Sequence, residues 1–390
     1  MTDFTFCIPT RFIVGKGSPA KVGRETARYG KRIMLVHDGG DYLSGLLVTI
    51  RRSLEDAGLD VYELPEAGSG PRLSLVLNGA RLCRENRIDC VLAVGGGSVM
   101  DTAKAIAFMA VNDGDFTEYV SYKRRSEQCL PVGCVVTLSG TGSEVSGTAM
   151  IADDTRKQLI KFPLFQDAIR FRFAILDPSL TMTLPMRQTI SGAFDAITHT
   201  LEHYFCGEGP AQLHDRLCEA LIRSVMENMR AVTANPCDYE VRAQLQMAAT
   251  LSNSGLFGMG YPSDWAIHYM ENPITTATHQ PHGATLAIIC LAWMRFCYRR
   301  DLERAVNFAC RVMGAQAGKS DDATAVAGID ALEGFLTEVG LPTRLSQIGV
   351  TPEQFERFAE LAAETAESEL VGGVSRLTFP EIVEIYKIAQ

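Results

Sequence analysis

Residues 90–109 read CVLAVGGGSVMDTAKAIAFM. Cys90–Val94 is an uninterrupted apolar run of strand length, Gly95-Gly96-Gly97 makes a turn, and a helix is expected from Ser98 to about Ala110. A buried strand that feeds a helix through glycines is the unit from which parallel sheets with crossover helices are built. Glycine lets the backbone approach a ligand closely, and the free N–H groups of a helix start attract phosphate. Met100 breaks the G-x-G-x-x-G pattern and the lysine of a P-loop is missing, so the turn reads either as a phosphate cradle or as a plain tight turn.

The neighbouring segments repeat the alternation. Arg32–His37 and Asp60–Leu64 read as strands, with helices expected over about 20–29, 46–57 and 73–85. Val132–Thr137 is a further strand, followed by Thr137-Leu-Ser139-Gly-Thr141-Gly-Ser-Glu144. Hydroxyls and glycines in that density suit either a surface against ribose and phosphate or an ordinary loop. Two such loops at the carboxyl ends of neighbouring strands are where open α/β sheets bind nucleotides. Asp38, just after its strand, suits a ribose hydroxyl pair and would repel a 2′-phosphate, or it simply opens the Asp38-Gly-Gly turn.

Beyond Pro185 the strand signals almost vanish. Helices are expected over about 187–205, 212–234, 238–257, 264–270 and 283–299, with more to the end. The chain therefore divides into an α/β dinucleotide-binding domain with a mostly parallel sheet, 1–185, and an all-helical domain for metal and substrate, 186–390. A length of 390 residues agrees with two cores.

The net charge of −9 and pI near 5.4 argue against nucleic acid or an anionic membrane as partner. No stretch has the length and apolarity of a membrane span, and no leader-like segment opens the chain. Eleven cysteines without C-x-x-C spacing fit a reducing cytoplasm.

The helical half contains DAITHTLEHYF, residues 195–205. Asp195 and His199 are one helical turn apart and share a face, so they can chelate one ion. His199-Thr-Leu-Glu202-His203 also spells the H-x-x-E-H of inverted zinc peptidases, a reading that leaves Asp195 and both glycine loops unused. His268 and His282 are further candidates, each by default an ordinary satisfied histidine.

Five motifs then occur in order: GGGSVMDTAKAIA, SGTGSEVSGTAMI, FAILDPSLTMTLP, DAITHTLEHY and HQPHGATLAI. With them the chain resembles the iron-containing (group III) alcohol dehydrogenase family from Phe6 almost to its C-terminus. DWAIH…PHGATLAI looks most like the butanol dehydrogenase and aldehyde reductase branch. The resemblance implies an NAD(P)-linked alcohol dehydrogenase or aldehyde reductase of small primary alcohols or aldehydes, with both parts meeting in a cleft between the domains. It implies Asp195, His199, His268 and His282 as ligands of Fe(II) or Zn(II). It implies Gly95, Gly96, Gly97 and Ser98 at the pyrophosphate, Asp101, Thr137, Ser139 and Thr141 at the ribose and nicotinamide, and Lys157 at the cofactor. NAD is the expected cofactor, with NADP as the alternative, and a homodimer or larger homo-oligomer is expected.

Two positions depart from the family pattern. Asn272 stands where relatives commonly carry a proton-relaying histidine, and a neutral amide hydrogen-bonds without shuttling a proton. His203 stands where many relatives have a small residue; it either faces the cleft or caps the helix surface, and the second is expected. A dehydroquinate-synthase-like cyclase on the same scaffold is the alternative enzyme, disfavoured by its different ligand pattern. A non-catalytic relative is the alternative that Asn272 raises.

Overall fold

The computed structural model describes every residue except Met1, Glu66, Gly68, Ser69, Ser121, Tyr122, Arg156, Lys157, Gln158, Glu208 and Glu367. It forms two compact units, Cys7–Thr183 and Leu184–Gln390, the second joined by the N-terminal Met1–Phe6.

The first unit has eight strands: β1 (Arg11–Val14), β2 (Arg32–His37), β3 (Asp60–Leu64), β4 (Cys90–Gly95), β5 (Val132–Val136), β6 (Thr148–Asp153), β7 (Ile160–Phe165) and β8 (Phe173–Leu176). Its helices are α1 (Val22–Thr26), α2 (Ser44–Asp56), α3 (Leu73–Glu85), α4 (Gly97–Met109) and α5 (Phe116–Val120). Six strands form one parallel sheet in the order β1-β8-β5-β4-β2-β3. Every residue of β4, β5 and β8 is buried, as expected of apolar runs covered on both faces. The sheet's core joins Ile33, Leu35, Leu92, Val94, Val135 and Ile175 to Leu47, Ile50 and Leu54 of α2.

Taken in chain order, β2, β3, β4, β5 and β8 lie side by side as second, first, third, fourth, fifth. The direction of winding therefore reverses between β2 and β4, and such a switch point opens a crevice at the carboxyl ends of the strands. A β6–β7 hairpin, paired antiparallel from Thr148↔Phe165 to Asp153↔Ile160, is an addition that the strand reading did not include. The four-residue β1 and β8 were not among the expected strands either.

The second unit carries α6 (Met186–Tyr204), α7 (Gln212–Ala234), α8 (Tyr239–Ser252), α9 (Ala266–Thr278), α10 (His282–Cys297), α11 (Leu302–Asn307), α12 (Asp321–Glu338), α13 (Phe355–Ala366) and α14 (Phe379–Ile388). Among the described residues no helix is long and apolar enough to cross a membrane. Two helices are central: α6 is buried at every position from Thr189 to Tyr204, and α10 from Gly283 to Met294. Helices covered all round belong inside a bundle rather than on its surface.

α9 runs through Pro273 to Thr278, eight residues beyond its expected end at 270. Pro273 lacks an N–H to donate, but it is buried beside Ile274, and packing of that turn outweighs the lost bond. The extension matters because Glu271 and Asn272 lie on it.

Candidate active site

The carboxyl ends of β2, β4 and β5 bring together the loops that the sequence singles out. His37 pairs with Val94 and Gly95 with Val136, so Asp38, Gly95 and Val136 form a row across three neighbouring strands, with Thr137 the next residue after it. Thr137 donates its N–H to Gly95 at 3.1 Å, and Thr137 is buried. Beyond the row the two glycine loops touch. A β-carbon on Gly97 would lie 2.7 Å from Thr141 Cγ2, and one on Gly96 would lie 3.4 Å from Leu138 Cβ. Only glycine at 97 lets the second loop close over the start of α4, where Gly97 and Ser98 present free N–H groups. Ser139 Oγ is buried without a hydrogen-bond partner among the described residues.

Asp101 lies under the loop, with both oxygens engaged: Ser143 Oγ donates to Oδ1 at 2.7 Å and the Met150 N–H to Oδ2 at 3.0 Å. Beside it Lys104, wholly buried, donates to Ser143 Oγ at 2.8 Å, Ser146 Oγ at 3.2 Å and the Thr148 carbonyl at 2.8 Å. Burial pushes Lys104 down to about 8, although Asp101 pulls it upward. Burial likewise pushes Asp101 up. Asp38 is engaged locally, accepting from the Gly40 N–H at 2.9 Å and from the Tyr42 hydroxyl. Lys157 lies outside the described residues.

In the helical unit, Asp195 is the point on which the histidines converge. Nε2 of His199 lies 3.6 Å, of His268 3.6 Å and of His282 3.8 Å from Asp195 Oδ1. Asp195, His268 and His282 offer ligand atoms all within 4.8 Å of one another, a grouping that can hold a metal ion. His199 is outside that trio; its ring stacks on His268 at 4.8 Å and 8°. Asp195 Oδ1 and His268 Nε2 are buried without a hydrogen-bond partner among the described residues. One carboxylate with three imidazoles whose Nε2 atoms converge on it is a donor set that fits a divalent cation of the Fe(II) or Zn(II) type.

The four groups perturb one another strongly. Burial pushes Asp195 up, but the charges of His199, His282 and His268 outweigh it and hold the carboxylate well below its usual range. Burial drives His199 down to about 3, against the pull of Asp195. Burial also lowers His268, yet the neighbouring carboxylates of Asp195 and Glu202 prevail and raise it to about 9.

Three residues at this centre are absent from the sequence-derived set. Glu202 is wholly buried, and its Oε1 lies 3.1 Å from both His268 Nδ1 and the His268 N–H. Glu271, equally buried, lies 2.6 Å from His282 Nδ1, and its other oxygen accepts from the hydroxyls of Thr275 and Thr285. Trp265 adopts φ +65°, a left-handed conformation costly for a bulky residue. Its indole stands 5.8 Å from His199, 5.5 Å from His203 and 5.2 Å from His268.

The expectation for His203 fails: it is 6% exposed rather than on the surface. α6 has no surface at that turn, and burial presses His203 down to about 4. Asn272, one turn beyond His268 on α9, is half-buried, and its carbonyl accepts from Thr276.

Comparison with known proteins covers the whole chain. The family model for iron-containing alcohol dehydrogenase matches residues 9–178, and that for the C-terminal part of the same family matches 189–390. The chain is 36% identical over 389 residues to a probable NADH-dependent butanol dehydrogenase of Bacillus subtilis, covering 99% of each. It is 35% identical over 358 residues to the NADPH-dependent aldehyde reductase YqhD of Escherichia coli, covering 90% of each. The solved structure of an NADH-dependent butanol dehydrogenase from Thermotoga maritima matches with TM-score 0.94 at 32% identity, over 100% of this chain and 99% of that one.

Proposed function

The chain belongs to the iron-containing alcohol dehydrogenase family, and on that premise we propose that Asp195, His199, His268 and His282 hold one divalent cation, Fe(II) or Zn(II). The enzyme is a metal-dependent oxidoreductase of alcohols and aldehydes that uses a nicotinamide cofactor. Our reading of its substrates is small primary alcohols and aldehydes, in keeping with the relatives named for butanol. The observation that carries the ligand assignment is the convergence of three Nε2 atoms on Asp195 Oδ1.

When bound, the cation supplies Lewis acidity toward a carbonyl or alcohol oxygen and the nicotinamide supplies or takes the hydride. The chain's residues do the rest by positioning. The Gly95–Ser98 turn and the start of α4 offer N–H groups to a pyrophosphate. The Ser139 hydroxyl, buried without a partner among the described residues, and Thr141, packed on Gly97, suit the sugar and nicotinamide side. The Asp38 carboxylate at the switch point favours NAD by repelling a 2′-phosphate. Asp101 and Lys104, both bonded to Ser143, hold the second loop against α4. Asn272 can hydrogen-bond a substrate oxygen and carries no titrating proton, so solvent or another group moves the proton.

We read the enzyme as cytoplasmic, since all eleven cysteines are free. That it is a homodimer or larger rests on the family resemblance alone.

Chelator stripping followed by reloading with Fe(II) or Zn(II) tests the reading, with NADH oxidation by butanal as the assay. Activity should vanish and return with the metal, and folded Asp195→Ala and His282→Ala variants should stay inactive. Full turnover by the stripped protein would refute a metal-dependent reaction.

A further inference from the structure

The two buried glutamates at the metal centre stand in a repeating relation to the histidines. His199-x-x-Glu202 lies on α6 and His268-x-x-Glu271 on α9, the same spacing on two helices. Neither glutamate backs the histidine three residues before it. Glu202 of α6 is hydrogen-bonded to Nδ1 of His268 on α9 at 3.1 Å, and Oε2 of Glu271 on α9 lies 2.6 Å from Nδ1 of His282 on α10 as an ion-pair contact. The series closes at Thr285, three residues after His282, whose hydroxyl donates back to Glu271.

Each contact fixes a ring. Glu202 Oε1 already accepts the His268 backbone N–H, so the pairing ties the ring to the first turn of its own helix. Thr275 and Thr285 occupy the other oxygen of Glu271, leaving the oxygen nearest Nδ1 for His282. A carboxylate has only lone pairs to offer, so each pairing favours a proton on Nδ1 and sets Nε2, which faces Asp195, as the atom to ligate a cation. His199 has no such support: its Nδ1 is buried without a partner among the described residues, and it rests on His268 and Trp265.

We propose that Glu202 and Glu271 are positioning residues of the metal centre, each set one turn after one ligand histidine to orient the histidine of the next helix. The inference rests on the ligand reading above. It makes the centre an interlock of α6, α9 and α10, in which two histidines have a carboxylate at Nδ1 and His199, among the described residues, has none.

The test uses full-length Glu202→Gln, Glu202→Ala, Glu271→Gln and Glu271→Ala proteins, with His282→Ala as control. Zn(II) affinity is measured by chelator competition, the visible spectrum is recorded for the Co(II)-loaded protein, and near-UV circular dichroism reports the fold. The alanine variants should bind Zn(II) about 10–100-fold more weakly and show altered Co(II) bands. The glutamine variants, which keep an acceptor but lose the charge, should fall between them and wild type. If an alanine variant does not fold, the glutamine variant decides. Wild-type affinity and an unchanged Co(II) spectrum in folded Glu variants, beside loss of metal in His282→Ala, would overturn the interlock and leave the ligand set standing. Wild-type metal binding by His282→Ala would overturn the ligand set instead.

Discussion

A β-carbon on Gly283 would lie 1.8 Å from the carbonyl oxygen of Ser191. α10 therefore starts directly against the backbone of α6, one residue after His282 and four residues before Asp195 on the facing helix. Glycine at 283 lets the two helices approach until His282 Nε2 comes to 3.8 Å from Asp195, as the proposed metal centre requires.

Gly283→Ala forces the two helix starts apart. The expected cost is about 1–3 kcal/mol of stability, the range for overpacking a well-filled interior. Metal affinity should fall with it. Urea denaturation of the apo protein and chelator competition measure the two effects, and normal values in both would remove this account of the glycine.

Asp38→Ser removes the carboxylate that directly follows β2. The ratio of kcat/KM for NADPH to that for NADH should rise at least about tenfold, equivalent to about 1.4 kcal/mol. Steady-state kinetics with both cofactors decides. An unchanged ratio would reduce Asp38 to the turn it makes with Gly40 and Tyr42.

Asn272→His places a titrating imidazole one turn beyond His268. The pH profile of kcat should gain an ionisation near the ordinary histidine value of about 6.5 that the wild type lacks. If the wild-type profile already shows the same ionisation and the variant leaves it unmoved, position 272 takes no part in proton movement.

Lys104 sets a pH dependence of stability. Its pKa in the folded protein, about 8, lies below the ordinary 10.5. The charged lysine therefore burdens the folded state in full below pH 8, and the burden fades as pH rises from about 8 toward 10.5. Relative to Lys104→Met, the wild type should gain stability across that window, by at most about 1.4 kcal/mol per pH unit. Denaturation curves of the two proteins that run parallel from pH 7 to 10 would contradict this.

Local pattern and tertiary placement separate what the sequence made legible here. The Cys90–Met109 unit is readable because an apolar run, three glycines and a helix start carry their own geometry. Asp195 and His199 are readable because helical spacing puts them on one face. His268 and His282 are not, since only the packing of α9 and α10 against α6 brings them to Asp195, and family resemblance had to supply them. Glu202 enters the sequence reading only as a letter of the H-x-x-E-H peptidase pattern; its partner is on another helix, so no local pattern reveals it, though the recurrence of H-x-x-E at 268–271 is a signal. His203 was misplaced because amphipathic reasoning assumes an outer face, and α6 has none there. The β6–β7 hairpin escaped because its strands carry Lys161 and Pro163 and no compact turn signal.

The central claim is that one metal ion sits among Asp195, His199, His268 and His282. Anomalous diffraction at the iron and zinc edges, on crystals of the reconstituted protein, tests it most directly. The account predicts a single strong peak within about 2.3 Å of Nε2 of the three histidines and of an Asp195 oxygen. A fully loaded crystal whose peak lies elsewhere, or lacks any one of these four ligands, would contradict it.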